Sequence, residues 1–344
     1  MKKVFAFLLA CVMLFGCAAC SRPNAGTNPS AAVTPASGGD PLAQTYNFAT
    51  ATTGTSWYVY GATITDLLTK AGMKINMQAY GGGLADLLQM QSGESNISES
   101  FSACSNWSYN GTVAYEETGA NPNLRLVSGS LDKMYVVLVL NPALGVTSLE
   151  EIVEQQLPVH VYTAPPGDTS DYVTQMLFES LGADYETIQS WGGTITHTDQ
   201  ATIASDYSSG MVDVFARMCS VGHPTMTEIA TTNDVIVTEL SQTTIDYMEQ
   251  FSFGEMSIPE NSFGEHKEVR TVGMVTTLVA DAGVSDEVTY LMAKTMYENK
   301  DTLVMGHAGF EDFDLDTCYL SEENGGIPLH PGAEQYYREQ GLID

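Results

Sequence analysis

Thr52, Thr53, Thr55 and Ser56 crowd around Gly54, and Trp57 and Tyr58 follow at once. Four hydroxyl donors beside two flat apolar side chains suit a small carboxylate with an apolar body. A short extended segment from Tyr46 enters this loop, and Val59–Lys70 leaves it as a helical run. A loop that opens a helix aims free backbone N–H groups and the positive end of the helix dipole at one point. The same residues also read as an ordinary capped turn with Thr55 or Ser56 as N-cap.

Two further stretches repeat this arrangement. The alternating strand Lys74–Tyr80 runs into Gly81–Gly82–Gly83 and then a helix, Leu84–Gln91. A triple glycine lets a ligand or a second backbone approach closely, and Gly82 and Gly83, with Tyr80, are candidate ligand contacts. The strand Val159–Thr163 leads through Pro165–Pro166–Gly167–Asp168–Thr169–Ser170 into the helix Asp171–Leu181. There Gly167, Asp168, Thr169 and Ser170 face the ligand, with Asp168 or Thr169 also placed to cap the helix. Beyond these loops, Arg217 sits in the apolar stretch Val212–Cys219. A guanidinium there needs a partner, either a ligand carboxylate bound through both nitrogens or an internal acid such as Asp213. Ser102, the amide and aromatic pair Asn106 and Trp107, Trp191 at the end of an expected strand Ile188–Trp191, and His223 complete the candidates.

Elements that position these groups alternate between strand and helix, which places the chain in the α/β class. Two nearly continuous apolar segments, Met134–Leu140 and Arg270–Ala280, read as buried strands. The expected architecture has these two crossing between two lobes, with the ligand where glycine loops and helix N-termini converge. Residues 44–140 then form the first part of lobe I, 141–270 form lobe II, and 271–344 supply a hinge strand and return to lobe I. Asp234–Leu240 is expected as a further strand, and hinge closure is the expected motion.

The chain has 344 residues, 44% of them hydrophobic, enough for a sizeable core in one or two domains. A formal charge of −29 argues against nucleic acid, whose binding needs clustered Lys and Arg. Lys2 and Lys3 precede the apolar run Val4–Phe15, and a cysteine follows at Cys17 and again at Cys20. This reads as a bacterial lipoprotein signal, residues 1–16, cut before a cysteine that then carries lipid. Cys17, with Leu14 and Gly16 before it, is the better site, and Cys20 is the other. Residues 17–43 are then a flexible tether rich in Pro, Gly, Ala, Ser and Thr. Cys104, Cys219 and Cys318 lack metal-ligand or redox spacing and read as buried thiols.

Several local motifs, taken in order, give a family resemblance. Thr53–Gly54–Thr55–Ser56–Trp57–Tyr58 resembles the T-G-G-T-Y-Y loop of the solute-binding subunits of TAXI-type TRAP transporters. Gly81–Gly82–Gly83 with Ser92–Gly93–Glu94 resembles their G-G-S…S-G-E segment. Asp213–Val214–Phe215–Ala216 followed by Gly222–His223–Pro224–Thr225 is similar to their D-A-F-F strand and G-x-P-T turn. Ile327–Pro328–Leu329–His330–Pro331–Gly332–Ala333 is similar to their C-terminal signature. The chain departs from the pattern at Pro165–Pro166–Gly167–Asp168–Thr169, where the family usually has P-G-S-G-T, at Asn96, where it usually has Asp, and at Thr55, which replaces the loop's second glycine. The resemblance runs from about Tyr46 to Leu342. It implies a two-lobe type II periplasmic-binding-protein fold and no catalysis. It also implies delivery of an amino acid or organic acid to a membrane permease, with no cofactor. A sensor lipoprotein presenting its ligand to a membrane receptor fits the same residues. An enzyme is disfavoured, since no nucleophile-elbow, phosphate-loop or zincin motif occurs.

Overall fold

The computed structural model describes residues 40–53 and 55–344; the lipoprotein signal, Cys17, Cys20, most of the tether and Gly54 lie outside the described residues. The chain begins with β1 (Thr45–Thr50), α1 (Ser56–Lys70), β2 (Lys74–Ala79), α2 (Gly83–Ser92), β3 (Ile97–Phe101) and α3 (Ser102–Asn110). Next come β4 (Leu124–Ser128), β5 (Lys133–Leu140), α4 (Leu149–Glu154), β6 (His160–Thr163), α5 (Thr169–Glu179), α6 (Tyr185–Ser190) and β7 (Thr194–His197). Then follow α7 (Gln200–Ser208), β8 (Val214–Cys219), α8 (Pro224–Thr232), β9 (Ile236–Val237), α9 (Gln242–Glu249), β10 (Gly254–Ile258) and β11 (Val269–Asp281). The C-terminal elements are α10 (Asp286–Glu298), α11 (Lys300–Gly306) and α12 (Pro331–Glu339).

The strands join in the order β2-β1-β3-β11-β5-β8-β6-β7, with β4 and β10 on β11 and β9 on β5. The outer strands β1, β2 and β3 run parallel, as do β6, β7 and β8. The central pairings of β11 with β3, β11 with β5 and β5 with β8 are antiparallel. Parallel strands need crossover helices, and the hydroxyl and glycine loops are the turns into those helices.

β11 is the longest strand and belongs to both ends of the sheet. Its first part pairs with β10 and, over Gly273–Val275, with β5; its second part, Thr276–Ala280, pairs with β3. The chain therefore crosses between halves at 275–276, in the middle of the long apolar run. The other crossing falls at 131–133 rather than at 140. β5 pairs with β8 along Tyr135–Leu140, so it is part of the second half's sheet and not an end to the first. Leu131 donates its backbone N–H to Thr276 at 3.0 Å and ties the two crossings together. Asn324, fully buried, accepts from the backbone N–H of Ser130 and donates to the carbonyls of Thr317 and Leu320. These bonds hold Ser130 at φ +47°, in the left-handed region a serine seldom adopts.

One hydrophobic cluster lies wholly in the first half, with Phe48, Ile64 and Met292, and another in the second, with Val139, Phe215 and Phe263. The third runs through both, joining Phe101 and Trp107 to Val136, Val161 and Phe253. Some local expectations fail. Ile188–Trp191 is not a strand, because Asp184 caps α6 by accepting from Thr187 N–H at 2.7 Å. Asp234–Leu240 contributes only the two residues of β9. Cys104, Cys219 and Cys318 are buried free thiols, as their spacing suggested.

Candidate ligand-binding cavity

Three helix N-termini meet at one cavity of about 180 Å³, a space of the order that holds a single aromatic ring. Thr55 caps α1, its Oγ1 accepting from Tyr58 N–H at 3.1 Å. Asp168 caps α5, accepting from Ser170 N–H at 2.7 Å. Gly82 is the N-cap of α2 and has no side chain to cap it; its N–H donates instead to the Asp86 carboxylate at 3.2 Å, while Gly81, Gly82 and Gly83 line the cavity. Gly83 has φ +42°, and a Cβ on it would lie 2.9 Å from Thr169 Oγ1 on the opposite wall. Only glycine allows α2 and α5 to approach this closely.

Arg217 lies near the end of β8 and lines the cavity with His223 and Ser220. Strand alternation explains its direction. Val214, Ala216 and Met218 enter one core cluster, while Phe215 and Cys219 point to the other face with Arg217. With its amide oxygen turned to the guanidinium, Gln200 accepts from Nη1 at 3.1 Å and also from Nη2. Nε has no hydrogen-bond partner among the described residues. No carboxylate forms a salt bridge with Arg217 among the described residues. Asp213, the internal acid weighed as its partner, instead accepts from His160 N–H at 2.8 Å. Burial pulls the Arg217 guanidinium below its usual range. Burial, and then the Arg217 charge, lower the His223 imidazole to about 3, so it is neutral near pH 7. Its Nδ1 accepts from Met226 N–H, so the ring proton sits on Nε2.

The facing wall comes from α1, β3 and the two crossings. Trp57 and Phe101 form its apolar part, with ring centroids 3.9 Å apart. Asp132 and Thr276 sit beside them, with Thr276 Oγ1 donating to the Asp132 carboxylate at 2.6 Å. Burial raises Asp132 to about 7. Just behind the cavity wall, Glu99 accepts from Thr50 Oγ1 at 2.7 Å, and its other oxygen has no partner among the described residues. A Cβ on Gly61 would lie within 2.9 Å of both Glu99 oxygens, so the helix approaches the acid through a glycine.

Ser56 and His307 also line the cavity, 2.9 Å apart. This pair has the spacing of a nucleophile and base but the wrong tautomer. His307 Nδ1 accepts from Gly309 N–H at 3.0 Å, so Nε2 carries the proton and donates to Ser56 Oγ. The serine is held, not activated.

Of the residues singled out in the sequence, Thr52, Thr55, Trp57, Gly82, Gly83, Asp168, Thr169, Ser170, Arg217 and His223 line the cavity. Others do not. Thr53 and Gly167 are exposed, and Tyr58 contributes its backbone to the α1 cap. Tyr80 bonds Gln78 on the edge strand. Ser102 accepts from Val275 N–H at 3.3 Å, and Asn106 donates to the Gly325 carbonyl at 2.9 Å. The stretch Asn106–Tyr109 lies on α3, not in a loop, and Trp107 is buried with its indole N–H bound to the Phe251 carbonyl. Trp191 packs on the core beyond α6. Asp132, Tyr60, Gln200, Thr276 and His307 line the cavity without having been singled out. Only Asp132 carried a signal, an acid between two apolar strands, and exposed turns carry such acids too. No described helix is long and apolar enough to cross a membrane.

A two-ended sheet with crossing strands and a central cavity defines the α/β, two-lobe fold of the periplasmic-binding-protein class. The solved structure of PhnD1 from Prochlorococcus marinus, in complex with methylphosphonate, has this fold. It matches at TM-score 0.53 and 11% identity over 88% of this chain and 100% of that one. The periplasmic binding protein BugD matches at TM-score 0.48 and 13% identity, over 87% and 94% of the two chains. MatC from Rhodopseudomonas palustris, solved with bound malate, matches at 0.49 and 12%, over 87% and 99%. Residues 48–341 match the NMT1-like family, and the chain belongs to it.

Proposed function

We propose that this protein is an extracytoplasmic solute-binding lipoprotein that captures a small carboxylate and passes it to a membrane permease. The observation that carries this reading is Arg217: its guanidinium lines the cavity, its Nε has no hydrogen-bond partner and it forms no salt bridge among the described residues, with Asp168 acting on it only at longer range. A carboxylate from outside supplies the missing partner through two parallel hydrogen bonds. The N-terminus of α1, capped by the neutral Thr55 hydroxyl, adds a favourable dipole at the cavity. The motif series from Thr53 to Ala333 supports assignment to the TAXI type of TRAP transporter, and the basic and apolar N-terminus supports a lipid anchor on Cys17. The lobes are read as 44–131 with 276–344 against 133–275, closing on the ligand about the two crossings.

The test is a thermal-shift and calorimetric screen of the purified full chain against amino acids, dicarboxylates, 2-oxoacids, aromatic acids and neutral sugars. A ligand at 100 times its dissociation constant adds about 2.7 kcal/mol of stability. The expected result is a shift with a carboxylate that Arg217→Met abolishes. Shifts with uncharged solutes alone would overturn the reading. Deleting the gene should then abolish uptake of the same carboxylate by cells, and normal uptake would sink the delivery role.

A further inference from the structure

The cavity has a second pole that a simple carboxylate leaves unused. Asp132 lines the same cavity as Arg217, as do Tyr60 and Trp57, and the Asp132 charge acts on the Tyr60 hydroxyl. Tyr60 is 3% exposed, and its hydroxyl has no hydrogen-bond partner among the described residues. The indole N–H of Trp57 is likewise buried and unpaired. One Asp132 oxygen is held by Thr276 Oγ1 at 2.6 Å, which fixes the carboxylate at the crossing of the two halves. No Lys, Arg or His forms a salt bridge with Asp132 among the described residues. A buried acid and a buried guanidinium thus border one space without being paired to each other.

Resting on the carboxylate reading above, we infer that Asp132 is a specificity-determining ligand contact. It accepts from an ammonium carried by the solute, while Arg217 holds the solute's single carboxylate. The ligand class is then a zwitterionic amino acid with one carboxylate, and a dicarboxylate is turned away. A second carboxylate at this pole would meet Asp132 and, behind it, Glu99, with no cation to separate them. The free Tyr60 hydroxyl completes the pole as a further acceptor for the ammonium.

The titratable groups facing Asp132 are Tyr60 on α1, Glu99 on β3, Tyr135 on β5 and Asp312 on the 3₁₀ turn after α11. None is a cation. Burial first, and Asp312 second among the raising effects, put the Asp132 carboxyl at about 7. An incoming ammonium must therefore find Asp132 ionised. Affinity for an amine-bearing ligand should fall as pH drops below about 7, while affinity for a bare acid should not.

The experiment is calorimetry on the full chain with matched probes. These are β-alanine, propionate and malonate; 4-aminobutyrate, butyrate and succinate; and L-leucine with 4-methylpentanoate. The expected result is that in at least one series the amine-bearing member binds tenfold or more above its bare acid, about the effect of one charge-assisted bond. Asp132→Asn should remove that margin. Where Asp132→Asn fails to fold, the wild-type titration at pH 8 and pH 5.5 decides, because only the amine-bearing ligand should weaken. Equal pH dependence for amine and bare acid would overturn the inference. So would tightest binding of a dicarboxylate, or no binding by any amine-bearing probe. Arg217-dependent binding of bare acids with no gain from the amine would defeat this inference and leave the carboxylate reading standing. Binding of neutral solutes alone would defeat both.

Discussion

The wall built by β8 and the wall built by α1, β3 and the crossings hold charge in opposite ways. On the β8 side a permanent cation is bonded to the neutral Gln200 amide and stands beside the uncharged His223 ring, with Asp168 acting on it without forming a salt bridge. Its charge persists at any working pH, so it waits for an anion. On the facing side Asp132 and Glu99 are buried without cations and take up protons instead, as does Asp86 beneath Gly82. An arginine keeps its charge when buried, whereas a carboxyl sheds its charge by binding a proton. The difference teaches that one cavity can have a fixed pole and a titrating pole.

Removing the fixed pole should have the largest effect on binding. Arg217→Met should cost about 2–5 kcal/mol of affinity for a carboxylate ligand, measured by calorimetry. Full affinity in that variant would mean that the helix N-termini, not the guanidinium, hold the anion.

The titrating side should appear in stability. Asp86 and Asp132 each rise from 3.8 to about 7 on folding, so the folded state binds more protons than the unfolded one between those values. Their contribution is fully present below pH 3.8 and is lost as pH rises through 7. Urea unfolding of the ligand-free chain should therefore show greater stability at pH 5 than at pH 8, by about 2 kcal/mol or more. The doubly substituted chain, Asp86→Asn with Asp132→Asn, should show a smaller difference, with Glu99 keeping the remainder. A pH-independent midpoint in the wild type would show that these acids are paired or hydrated.

The contact between the walls is the next lever. Gly83→Val places a Cβ at φ +42° and 2.9 Å from Thr169 Oγ1. About 1–2 kcal/mol of stability should be lost, with weaker ligand binding because α2 and α5 are pushed apart. Unchanged stability and affinity would mean that the walls separate freely here. The smallest effect belongs to Ser56→Ala, which removes one hydrogen bond at the cavity edge. It should change stability and affinity by about 1 kcal/mol or less. A larger loss would give the Ser56–His307 pair a role beyond holding the α1 entrance.

The local signals in the chain had local causes. The hydroxyl loop before α1 and the Asp168 cap of α5 need only short-range hydrogen bonds, and both caps form within their own turns. The apolar run around Arg270–Ala280 marked a central strand because a strand buried on both faces cannot carry many polar groups. Arg217 stood out for the same reason, as a cation inside an otherwise apolar stretch. Asn106 and Trp107 misled because amide and aromatic groups look the same in a pocket and in a helix bonded to distant carbonyls. Their partners, Gly325 and Phe251, lie more than a hundred residues away in the chain.

Residue types and periodicity by themselves determined the α/β class, the glycine and hydroxyl turns into helices, and the isolated guanidinium. Tertiary structure decided which turns share one cavity, because that depends on strand order, and strand order is set by pairings between distant segments. It also decided that β5 belongs with β8, and that Asp132, an acid in a short connection, lines the same cavity as Arg217. A side chain's charge is written in the sequence, but its burial and its distance from every other charge exist only once the two crossings are in place.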